Sequence, residues 1–287
     1  MNAFLAAIAV LGVAASGPIM AATAAPALAI AFWRNALGAV LMGVPAVVRE
    51  RQGFRQLNRR ETLWCLVAGG VLALHFACFI TALQLTSVAG ATALVCLQSA
   101  WIVLFHLMRG QKQAPAIFLG LLLAVAGVLV ITGLDLGGSS KALLGDLLGV
   151  AGGVFAAAYT LAGARARSTL STGVYTTLCY GACALFLVIF ALCFRVSLVD
   201  FPPVAWIGIL AVTVVAQILG HSVFNYLLAS LGALVVSMLI LLEIPGAALL
   251  AALFLGERLP AGTYVGLVLI VAGLAVVIRQ QSRTPKV

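Results

Sequence analysis

The sequence predicts an all-α polytopic membrane protein with ten transmembrane helices arranged as two inverted five-helix repeats. Three observations support this fold class: the composition, an internal duplication and the distribution of basic residues. The 287-residue chain is 64% hydrophobic and only 8% charged, with a mean hydropathy of +1.22. Stretches of ~20 apolar residues each cross the ~30 Å hydrocarbon core of a bilayer. Such stretches occupy nearly the whole chain, so we expect no extramembrane domain.

Apolar stretches separated by charged or helix-breaking residues are the predicted spans. The segment from Arg49 to Arg60 is the longest polar loop between them. A break near Gly232 carries no charge, and it is predicted because it aligns with residues 84–86 in the duplication described next. The ten spans cover about residues 3–21, 26–48, 63–84, 88–108, 115–134, 144–164, 172–194, 203–228, 233–255 and 260–279.

The chain repeats itself at a fixed offset along the sequence. Gly127, within the fifth span, recurs as Gly273 within the tenth. Matches between leucines or valines mean little in so apolar a chain, so rarer residues carry more weight. Two of the three histidines, His75 and His221, stand at the same offset. We therefore predict two homologous halves.

The two predicted domains are residues 1–141 and 142–287, each with five spans. A unit with an odd number of crossings inserts in opposite orientations when it is duplicated, an architecture typical of secondary transporters. Basic residues favour cytoplasmic loops. If the Arg49–Arg60 loop is cytoplasmic, alternation places 12 Lys and Arg residues inside and 3 outside. We therefore expect cytoplasmic N- and C-termini in a bacterial-type inner membrane.

The same counts exclude several classes of protein. The net charge of +9 is explained by topology, so nucleic acid is not an expected partner. The six cysteines form no CxxC pair, and motifs for phosphate loops, zinc proteases or nucleophilic serines are missing from the sequence. We expect no enzyme activity, no metal and no cofactor. The expected partners are a small-molecule substrate and membrane lipid, and we expect a monomer.

Arg34 and Glu243 are ionisable residues inside predicted spans, where each costs at least ~2.5–3.5 kcal/mol to insert. Arg34 lies in the second span and Glu243 lies near the middle of the ninth. One interpretation is that they form part of a substrate or proton site. The alternative is a structural role, in which Arg34 pairs with Glu243 or with backbone carbonyls. Pro245 should kink the ninth span, freeing a carbonyl near Leu241 and supplying a hinge. We place Arg34 and Pro245 in a structural or gating role.

A second group of polar and aromatic residues is expected to line a central cavity. Gln217, His221 and Asn225 are spaced four apart and form one polar face of the eighth span, which must point to protein or water. His75 is the inverted equivalent of His221, and Phe79 extends an aromatic wall beside it. The alternative for each histidine is an ordinary interhelical hydrogen bond.

Three more residues are candidates for the cavity wall. Gln98 and Trp101 are three apart in the fourth span, so they share a face that can grip an amphipathic solute. Tyr159 in the sixth span is a similar candidate. Ordinary packing is the alternative for all three.

Several local motifs resemble the drug/metabolite transporter superfamily, and specifically its EamA family. The matching segments span the chain: Phe32-Trp33-Arg34, Gly145-Asp146-Leu147-Leu148, Leu242-Glu243-Ile244-Pro245, Leu255-Gly256-Glu257-Arg258-Leu259 and the closing Gly266 to Gly273 segment. The resemblance implies a ten-helix carrier that moves small metabolites, usually outward. Within the family, the chain most resembles exporters of amino acids, above all of aromatic amino acids. In the first repeat, Leu97 and Ser99 stand where the second has Glu243 and Pro245, so the halves are not functionally equivalent.

These observations predict a secondary transporter that exports amino acids, aromatic or neutral, by alternating access. Export of nucleobases or cationic compounds is the alternative within transport. A membrane enzyme that uses Glu243 and His221 as acid and base is the alternative from another class, and a scaffold that binds a partner is a third. Proton antiport and uncoupled diffusion both stay open.

Overall fold

The computed structural model describes residues 2–132, 139–256, 258 and 261–283. The predicted loop at 135–138, Glu257 and Lys286 lie outside the described residues, as do the ends of two predicted spans at 133–134 and 260. The helices are α1 Asn2–Ala14, α2 Ser16–Ala22, α3 Ala27–Arg49, α4 Arg51–Arg55, α5 Arg59–Leu83, α6 Val88–Val95, α7 Gln98–Met108, α8 Pro115–Thr132, α9 Ser140–Arg167, α10 Thr172–Cys193, α11 Ala205–Val212, a π-helical segment Thr213–Ser222, α12 Val223–Ile240, α13 Glu243–Leu255 and α14 Ala261–Arg283.

Within the described residues, seven helical stretches are long and apolar enough to cross a membrane. They are Asn2–Ala22, Ala27–Arg49, Arg59–Leu83, Val88–Met108, Ser140–Arg167, Thr172–Cys193 and Ala205–Leu255. Two shorter apolar helices cover Pro115–Val130 and Ala261–Val277. The chain is therefore a multi-pass helical membrane protein, as the composition predicts.

The stretch Ala205–Leu255 is too long for a single crossing. Its 51 residues would extend roughly 77 Å as one helix, more than twice the ~30 Å hydrocarbon layer. The helical path is interrupted inside it at Gly232, where φ is 79° and ψ is 167°. Glycine reaches this backbone conformation without the steric cost that a Cβ would bring. The break predicted near Gly232 is therefore confirmed.

The outer surface of the bundle carries large apolar side chains. Val48, Leu192 and Phe254 are more than 70% exposed, and Leu122 is 66% exposed. Such a surface would aggregate in water but is matched to hydrocarbon. Two buried apolar clusters fill the interior, one that includes Phe76 and one that includes Phe224 and Ile240.

Helices α8 and α14 cross with their backbones in contact. A Cβ added to Gly120 would lie 2.7 Å from the carbonyl oxygen of Gly273, and one added to Gly127 would lie 2.5 Å from that of Gly266. Small residues allow such close approach between membrane helices. The earlier glycine of α8 meets the later glycine of α14, so the two helices run antiparallel.

This contact predicts that an alanine is not tolerated in the glycine crossing. Gly120→Ala should destabilise the protein by about 1–3 kcal/mol because its methyl group has no room against Gly273 and Val277. Gly181→Ala in α10 is the matched control, since open space surrounds that position, and it should be neutral or stabilising by up to about 1 kcal/mol. Thermal unfolding in detergent measures both variants, and equal midpoints for the two would contradict the packing described.

Candidate functional site

Two spans are interrupted near their middles, each beside a proline. Helices α1 and α2 are separated at Ala15, and Pro18 lies in the first turn of α2. Helices α12 and α13 are separated at Leu241 and Leu242, and Pro245 is the third residue of α13. Proline lacks the amide hydrogen that a continuous helix needs, and its ring clashes with the preceding turn. At the kink predicted near Pro245, the α-helical hydrogen bonding is interrupted at Leu241 and Leu242, where the backbone stays right-handed helical and the bonds tighten to i→i+3.

A third interruption occurs in the first repeat without a proline. Helices α6 and α7 are separated at Cys96 and Leu97, the region that the duplication aligns with the α12–α13 break. Ser99 occupies the position that corresponds to Pro245. The chain tightens here into an i→i+3 turn, in which the amide of Ala100 donates to the carbonyl of Leu97 over 2.9 Å. The equivalent span is therefore interrupted in both repeats. The sequence predicted only the interruption beside Pro245.

The α6–α7 and α12–α13 interruptions contact each other. The Sγ of Cys96 lies 3.7 Å from the carbonyl oxygen of Ile240, to which it donates. The amide of Ile244 donates to the carbonyl of Leu241 over 3.2 Å. The carbonyl predicted to be free near Leu241 is therefore occupied, and the carbonyl available to another helix is that of Ile240, one residue earlier.

Glu243 is the first residue of α13 and is buried against α1 and α2. Its Oε1 accepts a hydrogen bond of 3.2 Å from the hydroxyl of Ser16, at the start of α2. A Cβ added to Gly246 would lie 2.5 Å from the Cβ of Ala14, so the glycine permits this approach. Among the described residues, Glu243 takes no hydrogen bond from Arg34. The two residues interact electrostatically without a hydrogen bond, so the hypothesis that they satisfy each other stays a prediction.

Arg34 is completely buried. Its hydrogen-bond and ring contacts are neutral groups, and Glu243 attracts it electrostatically without a hydrogen bond. Its Nε donates to the Oε1 of Gln217 over 2.9 Å, and its Nη1 lies 3.2 Å from the Sδ of Met20. The guanidinium carbon lies 4.2 Å from the centre of the Phe76 ring, a cation–π contact. The Nη2 is buried and has no hydrogen-bond partner in the described part of the chain. Gln217 is held from its other side by Asn35, which accepts from Nε2 over 3.1 Å.

The predicted polar face of the eighth span overlaps the π-helical segment. Residues four apart share a face of an α-helix, but the i→i+5 turns of a π-helix shift that register. The hydroxyl of Ser222 donates to the carbonyl of Gln217 over 2.9 Å, five residues back. Ser222 therefore joins Gln217 and Asn225 as a buried polar group of this part of the chain. His221 contacts the Phe76 ring, which also contacts Arg34, the partner of Gln217. That Gln217, His221 and Asn225 share one face stays a prediction.

Asn225 is the centre of a buried hydrogen-bond network between α9, α10 and α12. Its Nδ2 lies 2.7 Å from the hydroxyl of Tyr159 and 3.1 Å from that of Tyr180. The Tyr159 hydroxyl donates back to Oδ1 over 2.9 Å. Tyr180 in turn contacts Ser222 over 3.1 Å, and Arg167 donates to the backbone carbonyl of Asn225 over 2.9 Å. The polar groups of Tyr159 and Asn225 thus satisfy each other inside the bundle.

The two equivalent histidines lie on either side of one aromatic ring. The Phe76 ring centre is 4.9 Å from that of His75 and 5.6 Å from that of His221. His75 also stacks on Phe79 at 5.8 Å. The Nδ1 of His75 lies 3.0 Å from the carbonyl of Gly152, so this nitrogen carries the hydrogen. His75 and Phe79 are buried, and His221 is partly buried.

Gln98 and Trp101 lie in the first turns of α7, directly after the α6–α7 interruption. The Oε1 of Gln98 accepts a hydrogen bond of 3.4 Å from the hydroxyl of Thr160 on α9. The Nε1 of Trp101 is buried and has no hydrogen-bond partner within the described residues. A buried indole N–H is usually bonded, so this donor is available to another group.

Five residues of this region were not predicted as site residues. Phe76 follows a selected histidine, and Tyr180 and Ser16 are polar groups within apolar spans. Met20 has no polar pattern that would identify it. Ser222 is spaced five from Gln217, a separation that only a π-helix makes significant.

A surface cavity of about 320 Å³ lies apart from these groups, at the start of α5 and the end of α9. It is lined by Asn58, Arg60, Glu61, Trp64, Arg165, Ala166, Ser168 and Thr169. None of the residues predicted to line a substrate cavity contributes to it.

Comparison with known proteins agrees with the architecture. The profile of the EamA-like transporter family matches residues 1–133 and again residues 143–279. A protein of Archaeoglobus fulgidus, described as an uncharacterized transporter, is 26% identical over 250 residues, which is 85% of each chain. A solved crystal structure with 20% sequence identity superposes with a TM-score of 0.69 over 99% of each chain, and it shows the same fold.

The two matches together cover nearly all of the chain, and the apolar spans, the lipid-matched surface and the interrupted helices fit what they indicate. The chain belongs to the EamA-like transporter family, with the fold of the drug/metabolite transporter superfamily, and is a multi-pass membrane transporter.

Proposed function

We propose that this chain is a secondary transporter that exports small metabolites, amino acids with aromatic or neutral side chains first among them. Transport would proceed by alternating access through a central cavity between inverted repeats. The observation that carries the proposal is the meeting of three interrupted helices around buried polar groups. Substrate sites of secondary transporters are typically built from such discontinuous helices near the middle of the bilayer.

An inverted repeat is supported by the antiparallel crossing of α8 and α14. The glycine pairs exchange partners across the crossing, Gly120 with Gly273 and Gly127 with Gly266. Equivalent helices related by a two-fold axis in the membrane plane meet in this way. The two family matches fall on either side of residues 134–142, in agreement with the proposed halves 1–141 and 142–287.

Ten crossings follow if Ala205–Leu255 passes twice and the two shorter apolar helices pass once each. The excess of basic residues in alternate loops then favours cytoplasmic termini in an inner membrane. The residues proposed to line the cavity are His75, Phe79, Gln98, Trp101, Tyr159, Gln217, His221, Asn225 and Glu243. Arg34 and Pro245 are proposed to act in structure and gating.

The contacts of Glu243 and His221 favour transport over membrane catalysis. An acid and base pair would have to act on one bound group. Glu243 bonds Ser16, whereas His221 packs against the edge of Phe76. Each side chain thus has its own neighbour.

The substrate proposal predicts saturable flux in liposomes that contain only the purified protein. Liposomes loaded with unlabelled phenylalanine or leucine should accumulate the same labelled amino acid by counterflow, because a carrier exchanges substrate across the membrane in both directions. Protein-free liposomes and the Gly181→Ala variant are the controls. Absence of saturable flux for every aromatic and branched amino acid would contradict the substrate class. Uptake of a nucleobase or a cationic drug in their place would favour the alternative.

Glu243 is the proposed proton carrier, because it is the one buried carboxylate among the described residues. Glu243→Gln keeps an oxygen that can accept from Ser16 but cannot exchange a proton. We expect the variant to retain counterflow and to lose the acceleration that an inward pH gradient gives the wild type. Asp200→Asn, at an exposed loop carboxylate, is the matched control and should keep that acceleration. A wild type indifferent to the gradient would remove proton antiport.

A further inference from the structure

The guanidinium of Arg34 is a buried charged group whose hydrogen bonding is incomplete within the described residues. It has no exposed surface, and the Nη2, with two of the five N–H donors, has no hydrogen-bond partner among the described residues. Its bonded neighbours are a neutral amide oxygen of Gln217 and a thioether sulfur of Met20, which is a weak acceptor. Glu243 attracts the guanidinium electrostatically but gives it no hydrogen bond, so the buried Nη2 donors are left open to an anionic ligand during the transport cycle.

We propose that Arg34 is the anchor for the carboxylate of the transported substrate. The inference rests on the proposed transport function and names the chemical class of the substrate. A guanidinium presents a planar fork that matches the two oxygens of a carboxylate. In Arg34, Gln217 fixes the Nε side and Phe76 lies against one face, so the fork is held in a defined orientation with the Nη2 side open to a ligand.

The surroundings of the guanidinium favour a substrate with an apolar or aromatic side chain. Phe76 contacts Arg34, His75 and His221, so the carboxylate position lies beside a cluster of rings. The π-helical segment places Gln217 toward Arg34, and π-bulges are frequent at functional sites. The ligand is therefore an amphipathic carboxylic acid, either an amino acid or a simple organic acid without an amine.

The same charge disfavours cations at this position. A substrate whose only charge is an ammonium would place it against a fixed positive charge in a low dielectric, where repulsion is poorly screened. Because Arg34 is fully enclosed here, the carboxylate reaches it in a conformation that is open to one side of the membrane. Arg34 is thus a binding residue as well as a residue of the fold.

Competition against labelled phenylalanine counterflow tests the proposal. The four competitors are phenylalanine, 3-phenylpropionate, phenylalanine amide and phenethylamine, which vary the carboxylate and the amine independently. The two compounds with a carboxylate should compete, and the two without it should be at least about tenfold weaker. If 3-phenylpropionate competes as well as phenylalanine, the site requires only the carboxylate. If it competes more weakly, the site also recognises the amine.

Three variants identify Arg34 as the group responsible. Arg34→Lys keeps the charge but loses the fork, and it should weaken competition by both acids. Gln217→Glu places a carboxylate against Nε, which compensates the guanidinium internally, so the acids should lose their advantage over the amide. Arg55→Gln, which removes an exposed arginine of α4, is the charge control and should compete like the wild type.

A stability measurement keeps the test independent of folding. Phenylalanine should raise the thermal midpoint of detergent-solubilised wild type and of Arg55→Gln, and should fail to raise that of Gln217→Glu. Wild-type flux with equal competition by acid and amide would overturn the carboxylate anchor and leave the transport proposal intact. Absence of any wild-type flux, with no thermal shift by either acid, would overturn both.

Discussion

A backbone amide or carbonyl in hydrocarbon must find its hydrogen-bond partner within the protein, and this constraint governs every irregular element of the bundle. The α12–α13 interruption keeps the amide of Ile244 bonded to Leu241, and the carbonyl of Ile240 accepts the thiol of Cys96. The break between α1 and α2 is covered by Glu243 and Gly246. Interruptions therefore lie where other helices supply partners, and these are the places where a polar solute can also be bound.

The two halves contribute different chemistry to the interior. The cation Arg34 and the ring of Phe76 lie in the first half, whereas the buried carboxylate of Glu243 and the amide network of Asn225 lie in the second. The side-chain hydrogen bonds Arg34–Gln217 and Ser16–Glu243 join one repeat to the other. Motion of the halves against each other has to break these bonds or carry their partners along. Asn225 and its tyrosines, in contrast, tie together helices that all lie within the second family match.

Hydropathy and the duplication correctly predict a multi-pass helical protein, because lipid imposes length and composition on every crossing. They also predict the break at Gly232, which is aligned with a loop of the first repeat. The site was only partly predictable. Gln217 and Asn225 were selected correctly as inward-facing polar groups, but a four-residue spacing does not reveal a π-helix, so Ser222 was missed. Gln217 was not predicted as the hydrogen-bond partner of Arg34. A sequence does not show which of several acceptors at the same depth in the membrane an arginine will bond. The α6–α7 break has no proline to mark it.

The glycine crossing of α8 and α14 has a consequence for biosynthesis. Helix α8 is inserted early, yet the chain must still complete every helix from Ser140 to Leu255 before α14 emerges. Until then the groove around Gly120 and Gly127 is filled by lipid tails or by a transient neighbour. The close backbone contact that α8 makes in the finished bundle is therefore formed only after α14 has been inserted.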